Sequence, residues 1–293
     1  MKILLTGASG FLGSALAIHF RERGNRVTLL LRATSRLDRL RCRDAAFDIG
    51  RCVTDADVDA IVQRAKPDMV IHAACAYGRQ GETFVQLTDT NVRLGLAILQ
   101  SLLRTGRPVT FINTGTILKP DVSPYALSKS QFAQWGRVMA AQSAGQLQFI
   151  NVLLQHMYGP GDDPSKFATH VLHACKSNAP ELGLTLGEQE RDFIYIEDVV
   201  SAYEVLVEQR QKLEPVLDIE VGSGMAPSIR EFVETVHRLT GSRTHLRFGA
   251  LPYRANEEMH CQADLARMNR LGWKPAYGLE AGLKKTIELE YPK

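Results

Sequence analysis

The sequence predicts an α/β protein in which a doubly wound parallel sheet is followed by a smaller mixed α/β region. Three observations carry that prediction. Short apolar runs alternate with longer stretches of helical period over the first 155 residues. A glycine-rich turn, "TGASGFLG", separates the first apolar run from the first helical stretch. After "MYGPGDDPSKF" the rhythm breaks into short strands and helices at irregular spacing.

"KILLT" reads as the first strand, Phe11 to Arg23 as the first helix and "RVTLLL" as the second strand. "DMVIH", "VTFIN" and "LQFINVLL" follow, separated by helical stretches at 83–104 and 124–143. Strands apolar on both faces need helices on each side, and regular alternation of the two makes the sheet parallel. Further on, helical pieces near 165–178 and 228–239 alternate with "DFIYI", "VLDIEV" and "LRF". They are expected to pack over the carboxyl edge of the sheet, where ligands of open α/β sheets bind. The expected organisation is a dinucleotide-binding domain over 1–155 that also receives 191–215. Segments 156–190 and 216–293 then form the substrate-binding region.

Composition narrows the function. A chain of 293 residues can bury one large core or two coupled ones, and 45% hydrophobic with 23% charged residues is ordinary for a globular protein. The net charge of +3 suits an anionic small molecule, and no Lys/Arg block of the kind nucleic-acid binders use is present. The densest basic stretch, Arg32 to Arg43, reads as loop. Cys42, Cys52, Cys75, Cys175 and Cys261 form no Cys-x-x-Cys pair, so neither a metal site nor a disulfide framework is expected. No apolar run approaches the ~18 residues that span a bilayer, and the N-terminus runs straight into a strand. No membrane partner and a cytoplasmic location are expected.

In the first turn, Gly7 permits the tight bend, Gly10 lets the backbone approach a pyrophosphate and Gly13 lets the helix pack on the strand. Ser9, Phe11 and Leu12 lie among them, and the helix N-terminus behind offers N–H groups and partial positive charge to phosphates. The second strand ends in Arg32, where NAD-binding proteins place a carboxylate for the ribose hydroxyls. Arginine matches a 2′-phosphate instead, with Ser35 and Arg36 close by, so NADPH is expected and NAD is the alternative. Asp48 and Ile49 are expected to follow the third strand and hold the adenine.

The chemistry concentrates at "VTFINTGT" and "PYALSKSQF". Ser123 suits an N-cap and Pro124 the first helical position, which sets Tyr125 in the first turn and Lys129 one turn along the same face. The dipole and the ammonium are expected to favour the ionised phenol, so Tyr125 can exchange a proton with a carbonyl or alcohol oxygen. Thr116, at the strand end, can bond the same oxygen.

With these residues in place the chain resembles the extended short-chain dehydrogenase/reductases, the sugar-nucleotide epimerase, dehydratase and reductase group. The resemblance spans essentially the whole length. It rests on "TGASGFLG", "HAA" at His72–Ala74, "TN" at Thr90–Asn91, Thr116 with Tyr125 and Lys129, "YGPGD", "RDFIYIEDVV" and "GWKP". It implies a Rossmann-like fold and catalysis by Thr116, Tyr125 and Lys129, with Lys129 also holding the nicotinamide ribose. It further implies cofactor contacts at Ala73, Ala74, Asn91 and Thr114, and Arg191 beside a substrate diphosphate. A homodimer built on helices 83–104 and 124–143 is also implied.

Within the family, "YGPGDDPSKF", "TLGEQERDFIYIEDVVSAY" and "FGALPYRANEEM" look most like the nucleotide-linked 4-keto-hexose reductases of O-antigen sugar synthesis. The 4,6-dehydratases carry an Asp-Glu pair after the corresponding Thr, whereas this chain reads Thr114-Gly115-Thr116-Ile117. No carboxylate is placed to move protons at C5 and C6. Cys75 is the nearest cysteine by topology. What remains is ketone/alcohol interconversion at C4 of a nucleotide-diphosphate deoxyhexose. A reductase is expected, favoured by Arg32, with an NAD-dependent 4-epimerase as the alternative. Lys166, Arg191 and Arg254 are candidate diphosphate ligands, and Tyr77 and His156 candidate sugar contacts.

Overall fold

The computed structural model describes residues 1–40, 47–79, 81–254 and 256–292; Cys42 and the Arg41–Arg43 end of the basic stretch lie outside them. The chain forms two compact units, Met1–Leu154 with Tyr203–Ile219, and Gln155–Ala202 with Glu220–Lys293.

The first unit opens with β1 (Lys2–Thr6), α1 (Phe11–Glu22), β2 (Arg26–Arg32), β3 (Asp48–Cys52), α2 (Asp55–Ala65) and β4 (Met69–His72). It continues with α3 (Phe84–Thr88), a π-helical turn (Asp89–Arg93), α4 (Leu94–Arg104), β5 (Val109–Thr114), α5 (Pro124–Gln142) and β6 (Leu147–Leu154). The second holds β7 (His156–Tyr158), α6 (Phe167–Lys176), β8 (Glu181–Leu184), β9 (Glu190–Arg191) and β10 (Phe193–Tyr195). Helix α7 (Ile196–Gln209) leads back to the first unit and β11 (Val216–Val221) leaves it. The second unit then adds α8 (Ile229–Thr240), β12 (His245–Phe248), β13 (His260–Cys261), α9 (Ala266–Arg270) and α10 (Leu279–Glu290).

The seven-stranded sheet runs β11-β6-β5-β4-β1-β2-β3, and each pairing from β6 to β3 is parallel. This is the doubly wound order, with the chain reversing direction between β1 and β4. Leu4, Val70, Phe111, Phe132 and Phe149 are fully buried in one core with residues of α2, α4 and α5, which explains why these strands read as unbroken apolar runs. Among the described residues no helix is long and apolar enough to cross a membrane.

Four sequence expectations are corrected. "VLDIEV" is β11, the edge strand beside β6, and not part of the mixed region. The segment returning to the sheet unit is 203–219 rather than 191–215, because β9 and β10 pair with β13 and β7 in the second unit. The helix expected over 83–104 is interrupted by the π-helical turn at Asp89–Arg93. Asp48 and Ile49 open β3 instead of following it, and Asp48 pairs with Arg26 at 2.7 Å at the start of β2. They therefore sit at the amino edge of a parallel sheet, opposite the edge that receives nucleotides. Cys52 and Val53 occupy the carboxyl end of that strand.

In the second unit Asp192, fully buried, accepts hydrogen bonds from Ser223 N and Oγ, Gly224 N and Ala263 N at 2.6–3.1 Å. Asp198 accepts from the N–H groups of Ala276 and Tyr277, and Trp273 Nε1 donates to Ser201 Oγ. Asp198 of "RDFIYIEDVV" thus holds the two residues after "GWKP", and Trp273 of "GWKP" holds the residue after "RDFIYIEDVV", a structural role for residues that also carry the family pattern.

Candidate active site

The glycine turn is fixed by contact with the residues that follow β4. Gly7 holds φ +76°, and a Cβ there would lie 2.6 Å from Ala73 C and Ala74 N; one on Gly13 would lie 2.1 Å from Gly7 O. The backbones of turn, helix and β4 exit are therefore packed against one another with no room for a methyl group. Gly10 N–H donates to Gly7 O at 2.8 Å, and no side chain caps α1, so its first turn keeps its polarity for an anion. Ser9, Phe11 and Leu12 lie in this turn, and Ala73 and Ala74 face it.

Arg32 is exposed at the end of β2, and among the described residues no carboxylate pairs with it. Arg51 Nη1 donates to the carbonyls of Arg32, Ala33 and Ser35 at 2.9–3.3 Å, which shapes the loop after β2. Arg36 is paired with Asp38 at 2.8 Å, and Arg39 lies over the Phe11 ring at 5.9 Å. Arg51 escaped the sequence reading because only the pairing of β3 with β2 brings it to the Arg32 loop.

At the reacting end the local prediction for α5 holds: Ser123 Oγ accepts from Ala126 N at 3.2 Å and Pro124 occupies the first turn. The Thr116 hydroxyl lies close enough to Tyr125 to favour its ionised form, and Lys129, one turn along α5, is 2% exposed. Burial raises the Tyr125 phenol above its ordinary value, and the Cys75 thiol adds to that, while the Thr116 hydroxyl and the Arg79 charge oppose it. Arg79 is thus a further cation acting on this phenol, in addition to Lys129 one turn along the same helix. Lys129 is itself perturbed. Burial pushes its own ammonium below the usual lysine range, with Cys75 opposing, and burial together with the Lys129 charge pushes His72 down to about 3.

Lys129, Thr116, Ser130, Asn151 and Arg137 line a cavity of about 80 Å³. Among the described residues no carboxylate lies in ion-pair range of Lys129. A buried cation facing a small polar cavity is costly unless a hydroxyl-bearing group or water meets it. A polar row crosses the sheet beside it. Thr6 Oγ1 lies 2.9 Å from His72 Nδ1, Asn113 Nδ2 donates to Asn151 Oδ1 at 2.7 Å, and Asn151 Nδ2 donates to Asp218 at 2.8 Å. Arg137 closes the row on Asp218.

The loop after β4 supplies the other wall. Ala74 N–H donates to Thr6 Oγ1 at 3.1 Å. Asn91, fully buried in the π-helical turn, accepts from Ala76 N at 2.8 Å and donates to Ala76 O and Ser128 Oγ at 2.9 Å each. Both amide protons of Asn91 are spent on Ala76 O and Ser128 Oγ, so its side chain clamps the loop after β4. Thr114 Oγ1 is likewise bonded to the buried Tyr203 hydroxyl at 2.7 Å. Tyr77 stacks on Tyr125 with ring centroids 4.9 Å apart.

In the second unit two of the three candidate cations are paired with carboxylates. Lys166 pairs at 2.8 Å with Asp162, whose carboxylate is buried, so the "GDDPSK" turn closes on an ion pair. Arg191 is partly buried and bound to Glu257, a partner the sequence did not suggest across 66 residues. Arg254 is exposed three residues before Glu257, and His156 packs on Phe193 at 5.9 Å.

The chain matches the profile of the NAD dependent epimerase/dehydratase family over residues 3–222. It is 28% identical to CDP-abequose synthase of Salmonella typhimurium, over 98% of this chain and 97% of that one. Its fold is similar to UDP-glucose 4-epimerase of Thermotoga maritima with UDP-glucose, with a TM-score of 0.85 at 21% identity over 99% and 98% of the two chains. It is also similar to the UDP-glucose 4-epimerase of Thermus thermophilus in complex with NAD, with a TM-score of 0.83 at 21% identity over 100% and 99%. The chain belongs to the NAD dependent epimerase/dehydratase family and is an NAD(P)-dependent oxidoreductase on a doubly wound sheet.

Proposed function

We propose that this enzyme is an NADPH-dependent reductase of a nucleotide-diphosphate-linked 4-keto-deoxyhexose, of the CDP-4-keto-3,6-dideoxyglucose kind, in deoxysugar synthesis. The observation that carries the reading is the placing of the Thr116 hydroxyl beside Tyr125 on the helix that buries Lys129, with isoleucine where a dehydratase has a carboxylate. The 28% likeness to a CDP-abequose synthase favours the CDP-linked substrate.

The residues fit a dinucleotide. The Gly7–Gly13 turn would hold its pyrophosphate, Arg32 and the Arg51-braced loop a 2′-phosphate, and the Lys129 ammonium the hydroxyls of a ribose. When bound, the nicotinamide would supply the hydride that reduces C4. Tyr125 donates its proton to the oxygen of that carbon, and Thr116 orients the same oxygen. A phenol raised by burial stays protonated at neutral pH, as a donor must. Arg191, Arg254 and Lys166 are the candidate ligands for the diphosphate; Arg191 and Lys166 would each have to share or exchange a carboxylate partner, Glu257 and Asp162, for it.

Two helix faces support a homodimer. On α5, Leu127, Trp135 and Val138 are 45–52% exposed, and on α3 Phe84 and Val85 are 71–75% exposed. An isolated monomer rarely leaves so many large apolar side chains in water.

The likeness to NAD-bound UDP-glucose 4-epimerases favours a second reading, a 4-epimerase that recycles a held NAD. Stoichiometry separates the two. A reductase consumes one NADPH per CDP-linked 4-keto sugar, followed by loss of absorbance. Purification with tightly held NAD and interconversion of 4-epimers with no net NADPH loss would replace the reductase reading by the second.

A further inference from the structure

We propose that Arg79 and Tyr77 form a cation–ring–ring stack that positions Tyr125 for proton transfer and holds positive charge against it. The inference rests on Tyr125 being the proton donor and names residues that govern it.

The geometry is laid down by the backbone. Ala74 and Ala76, on either side of Cys75, are pinned to Thr6 and Asn91, which fixes where Tyr77 leaves the chain. Its ring lies 4.9 Å from that of Tyr125 at an interplanar angle of 32°. Gly78 then adopts φ +71°, and the next residue, Arg79, returns so that its guanidinium carbon lies 5.4 Å from the Tyr77 centroid. Both spacings are those of favourable ring–ring and cation–π contacts.

Several groups face Tyr125. Cys75 and Arg79 come from the loop after β4, Thr116 from the segment after β5, Tyr203 from α7, and Lys129 from its own helix. Of these, Cys75 and Tyr203 disfavour the ionised phenol, whereas Thr116 and Arg79 favour it. A proton donor in a buried site needs such a counterweight, because an unassisted phenolate would be too costly to form during transfer. Tyr77, a candidate sugar contact by sequence, acts here on the donor itself.

The test places 3-nitrotyrosine at position 125 and titrates its visible absorbance in the substrate-free protein, with Arg79 intact, Arg79→Met and Arg79→Lys. A unit charge within about 10 Å in a partly hydrated setting moves a titration by about half to one pH unit. Arg79→Met is expected to raise the nitrophenol titration by that amount, and Arg79→Lys to restore it. In the unlabelled enzyme turning over the CDP-linked 4-keto sugar, Arg79→Met should shift the basic limb of kcat/KM upward. Its plateau should fall by about three-fold, with the melting temperature unchanged. A nitrophenol titration that does not move in Arg79→Met, or moves equally in Arg79→Lys, overturns the stack. Full turnover by Tyr125→Phe would overturn the proton-donor reading alone.

Discussion

Asn91→Ala probes the join between fold and site. In the parent the Asn91 amide makes three hydrogen bonds of 2.8–2.9 Å, two to the backbone of Ala76 and one to Ser128 Oγ, with no exposure to water. A net contribution of roughly 1 kcal/mol per bond gives about 3 kcal/mol. Ala76 N–H and C=O are only partly buried, so water can recover some of that. The emptied amide volume adds a smaller cavity cost. The expected loss is about 2–4 kcal/mol, a fall of roughly 5–12 °C in melting temperature for a chain of this size. Urea unfolding and calorimetry of parent, Asn91→Ala and Asn91→Asp would measure it. Asn91→Asp keeps the acceptor for Ala76 N but loses both donors and buries a charge, so it should be at least as damaging. The same variants free the loop that carries Tyr77, so turnover should fall beyond what stability explains. A melting temperature of Asn91→Ala within about 2 °C of the parent, less than one lost hydrogen bond would cause, would refute the clamp.

Other predictions follow from single sites. Burial and the Lys129 charge hold His72 at about 3 against an ordinary 6.5, so the unfolded chain takes up the proton first. Its contribution is intact above pH 6.5 and is lost on acidification toward pH 3, at about 1.4 kcal/mol per pH unit. A His72→Leu chain should show a flatter stability curve between about pH 6.5 and 5. Arg32→Asp should move cofactor preference from NADPH toward NADH by at least about ten-fold in Kd by fluorescence titration, and an unchanged ratio would rule Arg32 out. Asp192→Ala strips four donors of their acceptor and should cost the second unit about 3–5 kcal/mol in urea unfolding.

Much of the sheet unit was legible because its signals are local. Apolar runs, the glycine turn and the Ser123-Pro124 cap each act within a few residues of where they are read. The Thr116–Tyr125–Lys129 set follows from the same elements, since a strand end and the next helix start are neighbours in this topology. What the sequence concealed is non-local. Whether "VLDIEV" joins the main sheet depends on β6, about 65 residues earlier, and the Arg191–Glu257 and Thr114–Tyr203 pairs also close over long separations. The expectation that Lys129 acidifies Tyr125 came from spacing on one helix. It missed that the loop after β4 brings Arg79 to bear on the same phenol. Asp48 was misplaced for a different reason: with Gly50 and Arg51 inside β3, its carboxyl end falls at Cys52, four residues later.

The central claim is that the Tyr125 hydroxyl delivers the proton that completes reduction at the sugar. Single-turnover kinetics of Tyr125→Phe with NADPH and the CDP-linked 4-keto sugar test it most directly. Loss of only the hydroxyl should slow the chemical step by about 10²–10⁴-fold while NADPH affinity and melting temperature stay at parental values. A chemical step within a few-fold of the parent would contradict the account.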